Sequence, residues 1–456
     1  MLEPWDGQLP NQWSARNYQS PLMQYMLEGG TMDKKRGCEV WHRRAGKDSC
    51  SLQIASVASQ MRVGVYWHML PTLQQGRRVV WDNRDRQGRR MIDQAFPKEM
   101  RSATNNSDMK IEFKNGSLWQ VVGSDNFDAL VGTNPVGIIF SEYSIANPLA
   151  WEYFRPILRE NDGWALFIYT PRGKTHGYTL YQMAKERDDW HCDLLTVEDT
   201  GIMTREDVED EIAQGMSYEK ARQEFYCDFD IGMEGAFYTD ALDYAEKQGH
   251  IGDYPWDPDK PVDTWWDIGI RDNSSVIFTQ VGQDGNPIII DHQSRRNWGA
   301  QEWAKEINSL PYAYNSHNGP HDLDQREWGS TSTRQETAAR HGIDFDIVDK
   351  LPVQDGIDAS RAFIRKAKFN KDTTQELRDN LAYYHREWDE KRQIFKDKPE
   401  HDHSSHDADA FRYMSVGWSQ ISTGSILVRG EDGRYRPNIK VKRAYQPRRR
   451  KFAGAI

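Results

Sequence analysis

Short apolar runs alternate with amphipathic, helix-favouring stretches through the first half of the chain. Cys38–Trp41 and Val63–His68 read as strands on either side of a helix predicted over Ser49–Met61. Val136–Phe140 (VGIIF) and Trp164–Tyr169 (WALFIY) are nearly unbroken apolar runs, the pattern of strands buried on both faces by crossover helices. Met109–Phe113 and Ser117–Val122 flank Asn115-Gly116, a dipeptide that tolerates the positive φ angles of a tight turn, which predicts a hairpin. Together these elements predict an α/β domain. From about Thr200 to Gln248 the pattern becomes charged and helix-favouring, opened by Thr204 with Asp207 three residues on, a loose capping box. After the turn-rich Tyr254–Pro261, strands resume at Thr264–Asp267, Ser275–Val281 and Pro287–Asp291. A helix at Ala300–Leu310, a strand ending near His321-Asp322 and a last helix over Ser405–Trp418 complete the pattern. The expected layout is an α/β domain over 1–199, a helical connector over 200–257, a second domain over 258–425 and a tail over 426–456.

Composition narrows the possibilities. The 456 residues exceed what one hydrophobic core organises, and 38% hydrophobic residues with 17 Trp and 20 Tyr exclude both a small binding module and wholesale disorder. No apolar run approaches a membrane span, the N-terminus lacks a signal-peptide pattern, and Cys38, Cys50, Cys192 and Cys227 form no CxxC pair. A cytosolic protein without disulfides, membrane contact or a cysteine zinc site is expected. The net charge of −10 hides a division. Gly430–Ile456 carries nine Lys/Arg against two Asp/Glu, and Asp33–Arg101 carries 15 against 7, so phosphate is a plausible partner for the latter stretch.

His42–Ser49 (HRRAGKDS) lies between a predicted strand and helix, where free N–H groups and the helix dipole favour phosphate. Gly46 lets a phosphate approach the backbone and Lys47 supplies charge. The full P-loop pattern would have Gly at position 41 and Ser/Thr at position 48, where this chain has Trp41 and Asp48. The run VGIIFSE ends in Ser141-Glu142, where nucleotide hydrolases place an Asp and then a Glu. Carboxylate and hydroxyl thus stand in exchanged positions, Asp48 on the loop and Ser141 on the strand, with charge at a metal unchanged. Ser49 is a competing hydroxyl, and an ordinary acid at a helix N-terminus is the alternative for Asp48.

The second half carries a different set of acids. Asp267 ends an apolar strand, where a carboxylate is either paired, metal-bound or capping a turn. Asp322 and Asp324 follow the fourth strand, and Asp402, Asp407 and Asp409 gather at the start of the last helix. Acid on a first strand, after a fourth strand and on a late helix is the layout of RNase H-like nucleases, in which divalent ions activate water for phosphodiester cleavage. Hard oxygen ligands favour Mg²⁺ or Mn²⁺ over zinc, leaving His401, His403 and His406 supporting or solvent roles. Asp407 and Asp409 lie roughly 200° apart around a helix, so at most one of them faces the site squarely.

A degenerate P-loop followed by a helical connector and an RNase H-like acid set resembles the large terminase subunit of tailed phages over most of the chain. HRRAGKD resembles that family's Walker A variant, GIIFSE its Walker B, IYTPRGKTHG its coupling motif, RQEFYCDFD…GAFY its connector, and WDIG, PHD and SSHDADAFRYM its nuclease motifs. The resemblance implies a P-loop NTPase domain of the ASCE type followed by an RNase H-like nuclease, and hence ATPase and metal-dependent DNA endonuclease activities. It implies nucleotide contacts from Arg43, Arg44, Ala45, Gly46, Lys47, Asp48, Ser49 and Ser141, a water-orienting Glu142, a state-reporting Thr170, and Arg43 as an arginine acting in cis. Gln19, beside Tyr18, stands where an adenine-reading Gln precedes Walker A; an ordinary surface Gln is the alternative. Asp267, Asp322 and Asp409 are implied as primary metal ligands, with Asp402 and Asp407 secondary. ATP and Mg²⁺ follow as cofactors, with Mn²⁺ able to substitute in the nuclease. Double-stranded DNA, a portal and procapsid, a small terminase subunit and a ring of identical subunits follow as partners, in the cytoplasm of an infected bacterium. The basic tail is either a solubilising end or a contact for portal or DNA. The competing readings are a structural nucleic-acid-binding protein with altered sites, and an ATP-dependent helicase-nuclease.

Overall fold

The computed structural model describes residues 9–269, 273–324, 332–389, 394–422, 427–429 and 435–437. The basic tail lies almost wholly outside them, as do residues 325–331 of the stretch after Asp324. The chain divides into two compact units, Met1–Thr239 and Asp240–Ile456.

The first unit is built on β1 (Arg36–Trp41), β2 (Val65–Leu70), β3 (Arg101–Asn105), β4 (Lys110–Phe113), β5 (Leu118–Gly123), β6 (Pro135–Ser141), β7 (Trp164–Tyr169) and β8 (His191–Leu195), in the order β3-β4-β5-β2-β6-β7-β1-β8. Six of them, β5 through β8 in that order, run parallel, and β4 joins β5 as an antiparallel hairpin. The central strands are buried along their whole length because helices cover both faces. Lys47–Met61 and Ser20–Leu27 pack on one face through Leu52, Ile54, Leu22 and Met26, and Pro148–Glu160 and His176–Lys185 on the other through Phe154, Leu158 and Leu180. One strand, β7, separates β1 from β6, so the three loops that follow these strands open side by side.

The connector departs from a single segment over 200–257. Helices Arg205–Ala213 and Tyr218–Tyr226 belong to the first unit, around Val208, Ala221 and Phe225, and the capping box forms, with Thr204 Oγ1 accepting from Asp207 N at 3.1 Å. From Asp240 the chain is already part of the second unit, and β9 (Ile251–Gly252) pairs into its sheet.

That sheet continues with β10 (Val262–Asp267), β11 (Asn273–Val281), β12 (Pro287–Arg296), β13 (Tyr314–Gly319), β14 (Phe345–Ile347) and β15 (Lys368–Asn370), in the order β14-β13-β10-β11-β12-β15-β9. Strands β10, β11 and β12 form the expected antiparallel meander, and β13 then β14 add parallel to β10. Helix Ser405–Ser422 crosses this sheet closely enough that a Cβ on Gly417 would meet Trp265 at 2.5 Å. Among the described residues no helix is long and apolar enough to cross a membrane, and all four cysteines are free.

Candidate active sites

In the first unit the loop His42–Gly46 turns from β1 into helix Lys47–Met61 with two residues at positive φ, Arg44 at 76° and Gly46 at 78°. Gly46 is required there on both counts, since a Cβ would also stand 3.1 Å from Gln19 Nε2. Lys47 is buried, and its Nζ donates to the carbonyls of Trp41 (3.1 Å) and His42 (3.3 Å) and to Thr170 Oγ1 (2.9 Å). Thr170 follows β7, so the ammonium bridges the ends of two neighbouring strands. Ser141, ending β6, donates from Oγ to Asp48 Oδ1 at 2.6 Å, and His68 Nε2 lies 3.4 Å from the same oxygen. The hydroxyl and carboxylate that stand in exchanged positions in the sequence therefore meet in space. Burial pushes the Asp48 carboxyl up, but His68, Ser141 and Lys47 outweigh it and hold it below its ordinary value.

Glu142 follows in the left-handed region, φ 54°, its amide donating to Ile168 O at 2.8 Å. Burial raises its carboxyl, with Asp48 and Glu224 adding and Lys47 and Arg172 opposing. These groups line a cleft of about 1210 Å³, which Arg43, Arg44 and Ser49 also border. Arg78, in the helical turn Arg77–Trp81, and Arg84 and Arg86, in the loop that follows, also line it. Gln19 and Tyr18 lie on the loop itself, both donating to Ala45 O, at 3.0 and 2.8 Å. The Gln19 amide is engaged at its other end too, accepting from Arg16 N at 3.1 Å, so it anchors the preceding segment to the loop.

A residue given no role in the sequence reading, within the connector motif, completes this site. Glu224, buried on helix Tyr218–Tyr226, accepts Arg172 at 3.0 Å and Lys220 at 3.4 Å and lies 4.0 Å from Arg43. The connector is thereby tied to the loop after β1 and to the loop after β7.

In the second unit Asp267 ends β10, and the neighbouring parallel strand β13 ends just before Asp322, which sits in the turn His321–Asp324. Asp322 Oδ1 is shielded from solvent with no hydrogen-bond partner, while Oδ2 lies 3.6 Å from Arg334; Asp324 is exposed. Asp267 Oδ2 is held by His406 Nδ1 at 2.8 Å. Asp409 pairs with Arg412 at 3.0 Å, and burial, with Asp267 adding, raises its carboxyl to about 6 against the pull of Arg412, His406 and His401.

The two secondary candidates are engaged elsewhere. Asp407 is buried and its oxygens are taken by His292 Nε2 (3.0 Å) and Asn380 Nδ2 (2.5 Å). Asp402 Oδ1 caps the turn before the last helix, accepting from Ser404 N at 2.9 Å and Oγ at 2.6 Å. His403 packs against Tyr383, ring centroids 4.6 Å apart and tilted by 39°. Among the described residues, no three of these carboxylates bring their ligand atoms within 4.8 Å of one another.

No protein-family model matches the chain. A search of curated proteins finds the terminase large subunit of Escherichia phage T5, 27% identical over 335 residues, which cover 70% of this chain and 73% of that one. Over that length the chain is similar to a phage terminase large subunit. Solved terminases are similar over most of its length. The large terminase of the thermophilic bacteriophage D6E covers 89% of this chain and 99% of its own at 16% identity and a TM-score of 0.41. The HK97 bacteriophage large terminase covers 89% and 95% at 10% identity and a TM-score of 0.45.

Proposed function

We propose that the chain is the large subunit of a phage DNA-packaging motor, an ATPase that drives duplex DNA into a procapsid and an endonuclease that cuts concatemeric DNA. The observation that carries this reading is the joining, in one chain, of a P-loop unit and a 3-2-1-4-5 nuclease-type sheet, each with its motif residues at one edge. Kinship with the T5 terminase supports it.

Divalent ions suit both sites by their donors, Asp48 with Ser141 in the first and Asp267, Asp322 and Asp409 in the second. Bound there, Mg²⁺ or Mn²⁺ would neutralise phosphate charge and activate water. The shielded, unpartnered Oδ1 of Asp322 fits such an ion. The chain's own groups do the rest. Lys47, held on loop carbonyls and Thr170, is positioned to take the outer phosphates of ATP, and Thr170 then registers whether they are present. Glu142 orients the attacking water from the end of β6. Arg43 and Arg172 share Glu224, so phosphate that draws either arginine away loosens the connector. In the second unit His406 fixes Asp267 and Arg412 fixes Asp409, which holds two ligand carboxylates in place before an ion arrives.

A ring of identical subunits on a portal, a small terminase partner that selects the cutting site, and action in the infected cell's cytoplasm follow from the same reading. Gripping phosphates rather than bases makes translocation sequence-independent. Duplex DNA of any sequence should therefore stimulate ATP hydrolysis, with stimulation falling as salt rises. ATP hydrolysis indifferent to DNA at all salt concentrations would count against a motor.

A further inference from the structure

In the first unit, the edge pair β1–β8 carries a second cluster of ligating groups. The parallel register sets Gly37 beside His191 and Glu39 beside Asp193, so Glu39, His191 and Asp193 share one face of the sheet. Their ligand atoms all lie within 4.8 Å of one another. The Glu39 side chain leans back along its strand over Gly37, where an added Cβ would come within 3.2 Å of Oε1.

The distances within the cluster are unequal, and that inequality is informative. His191 Nδ1 is 2.8 Å from Glu39 Oε1, a hydrogen bond. His191 Nε2 is 3.7 Å from Asp193 Oδ2, too far for one. A span of that size is what two ligands of one ion subtend when each bond is about 2.0–2.2 Å. Glu39 completes the pattern from behind, since metal-binding imidazoles characteristically donate their other N–H to a carboxylate. Glu39 is fully buried, its Oε1 is engaged by His191, and its Oε2 has no hydrogen-bond partner. On the outer side His191 and Asp193 remain 15% and 34% exposed, which leaves an entry path and room for water ligands.

We infer that His191 Nε2 and Asp193 form a surface site for a borderline divalent transition metal such as Zn²⁺, oriented by Glu39 through His191 Nδ1. An imidazole ligand selects Zn²⁺, Co²⁺ or Ni²⁺ over Mg²⁺. The site lies apart from the groups assigned to hydrolysis and cleavage and stands whether or not those assignments hold.

Zn²⁺ titration calorimetry on the full chain tests it, in a background carrying Asp267→Asn, Asp322→Asn and Asp409→Asn so that the nuclease acids are silent. One Zn²⁺ should bind. His191→Ala should abolish that binding and Asp193→Asn should weaken it at least tenfold, while Glu39→Gln should weaken it about 10–100-fold at unchanged stoichiometry. Asp193 is half-buried at the sheet edge and belongs to no hydrophobic core, so its variant is informative even if the buried changes impair folding. Zn²⁺ binding that ignores His191→Ala and Asp193→Asn, or no binding in the background protein, would overturn the site and leave His191 as an ion-pair partner of Glu39.

Discussion

Replacing Asp48 by Ser tests the exchanged carboxylate directly. The Ser141–Asp48 hydrogen bond, at 2.6 Å, is short and charge-assisted, and His68 faces the same oxygen. Removing the carboxylate leaves a shielded hydroxyl and a buried imidazole without their anion, a cost of about 1–3 kcal/mol to the first unit. The effect on hydrolysis should be larger. Losing a group that only supports a metal ligand costs roughly 10–100-fold, and losing a ligand itself costs no less, so Asp48→Ser and Ser141→Asp should each lower Mg²⁺-dependent ATP hydrolysis by about a hundredfold. The first lacks the carboxylate, and the second crowds two carboxylates at one point. Combined, they restore one hydroxyl and one carboxylate with their positions exchanged. The assay is steady-state ATP hydrolysis against Mg²⁺ concentration for the four proteins, with circular dichroism to confirm folding. Recovery of the double variant to within about tenfold of the starting protein is expected. Losses that simply multiply would refute the exchange, because independent sites add in free energy and coupled ones do not.

Glu142→Gln should slow hydrolysis by roughly 10²–10⁴-fold while a fluorescent nucleotide still binds with nearly unchanged affinity, because the change spares the phosphate cradle. Gly46→Ala places a Cβ at φ 78° against Gln19 and should cost roughly 1–2 kcal/mol and most of the nucleotide affinity, read by thermal melting and nucleotide titration. Asp407→Ala should destabilise the second unit by roughly 3–5 kcal/mol in urea melts, as expected when one partner of a buried pair is removed. The same pair sets a pH window. Burial lowers the His292 imidazole, but Asp407 more than offsets it and raises it to about 9, so its stabilisation is complete below about 6.5 and fades as pH rises through 9. Asp407, held below the ordinary carboxylate range by His292, Ser275 and Asn380 against burial, contributes above about pH 3.9 and loses its contribution as pH falls. Melting of the second unit followed from pH 5 to 10 should therefore decline at the alkaline end, and His292→Asn should flatten that decline.

The elements that could be read from the chain are those whose pattern is local. VGIIF and WALFIY became β6 and β7 because two-sided burial leaves no polar position in a strand. Asn115-Gly116 joined β4 to β5, and Thr204 capped its helix, because turn and cap chemistry needs only neighbouring residues. Strand β3 is largely exposed and carries no apolar alternation, while β9 and β15 are two and three residues long, paired only through the rest of the sheet. None of them has a readable signature. The acids divide similarly. Asp267 stood out as a carboxylate ending an apolar strand, and helical phase set Asp407 and Asp409 in different directions without saying which one faces the site. The partners His68, Glu224 and His406 lie 20 to 181 positions from the acids or arginines that they hold, so no spacing could reveal them. The exchange of Asp48 and Ser141 was readable as two departures from a pattern. Their contact required the strand order that puts β6 one strand away from β1.

The most direct test follows plasmid cleavage and ATP hydrolysis in the same samples, with Mg²⁺ or Mn²⁺, for the unchanged protein, Lys47→Ala and Asp267→Ala. Two separate active sites predict that Asp267→Ala abolishes cutting and keeps ATP hydrolysis, while Lys47→Ala does the reverse. An unchanged protein that neither cuts nor hydrolyses, alone or with a small terminase subunit and portal, would contradict the account and leave a DNA-binding protein with altered sites.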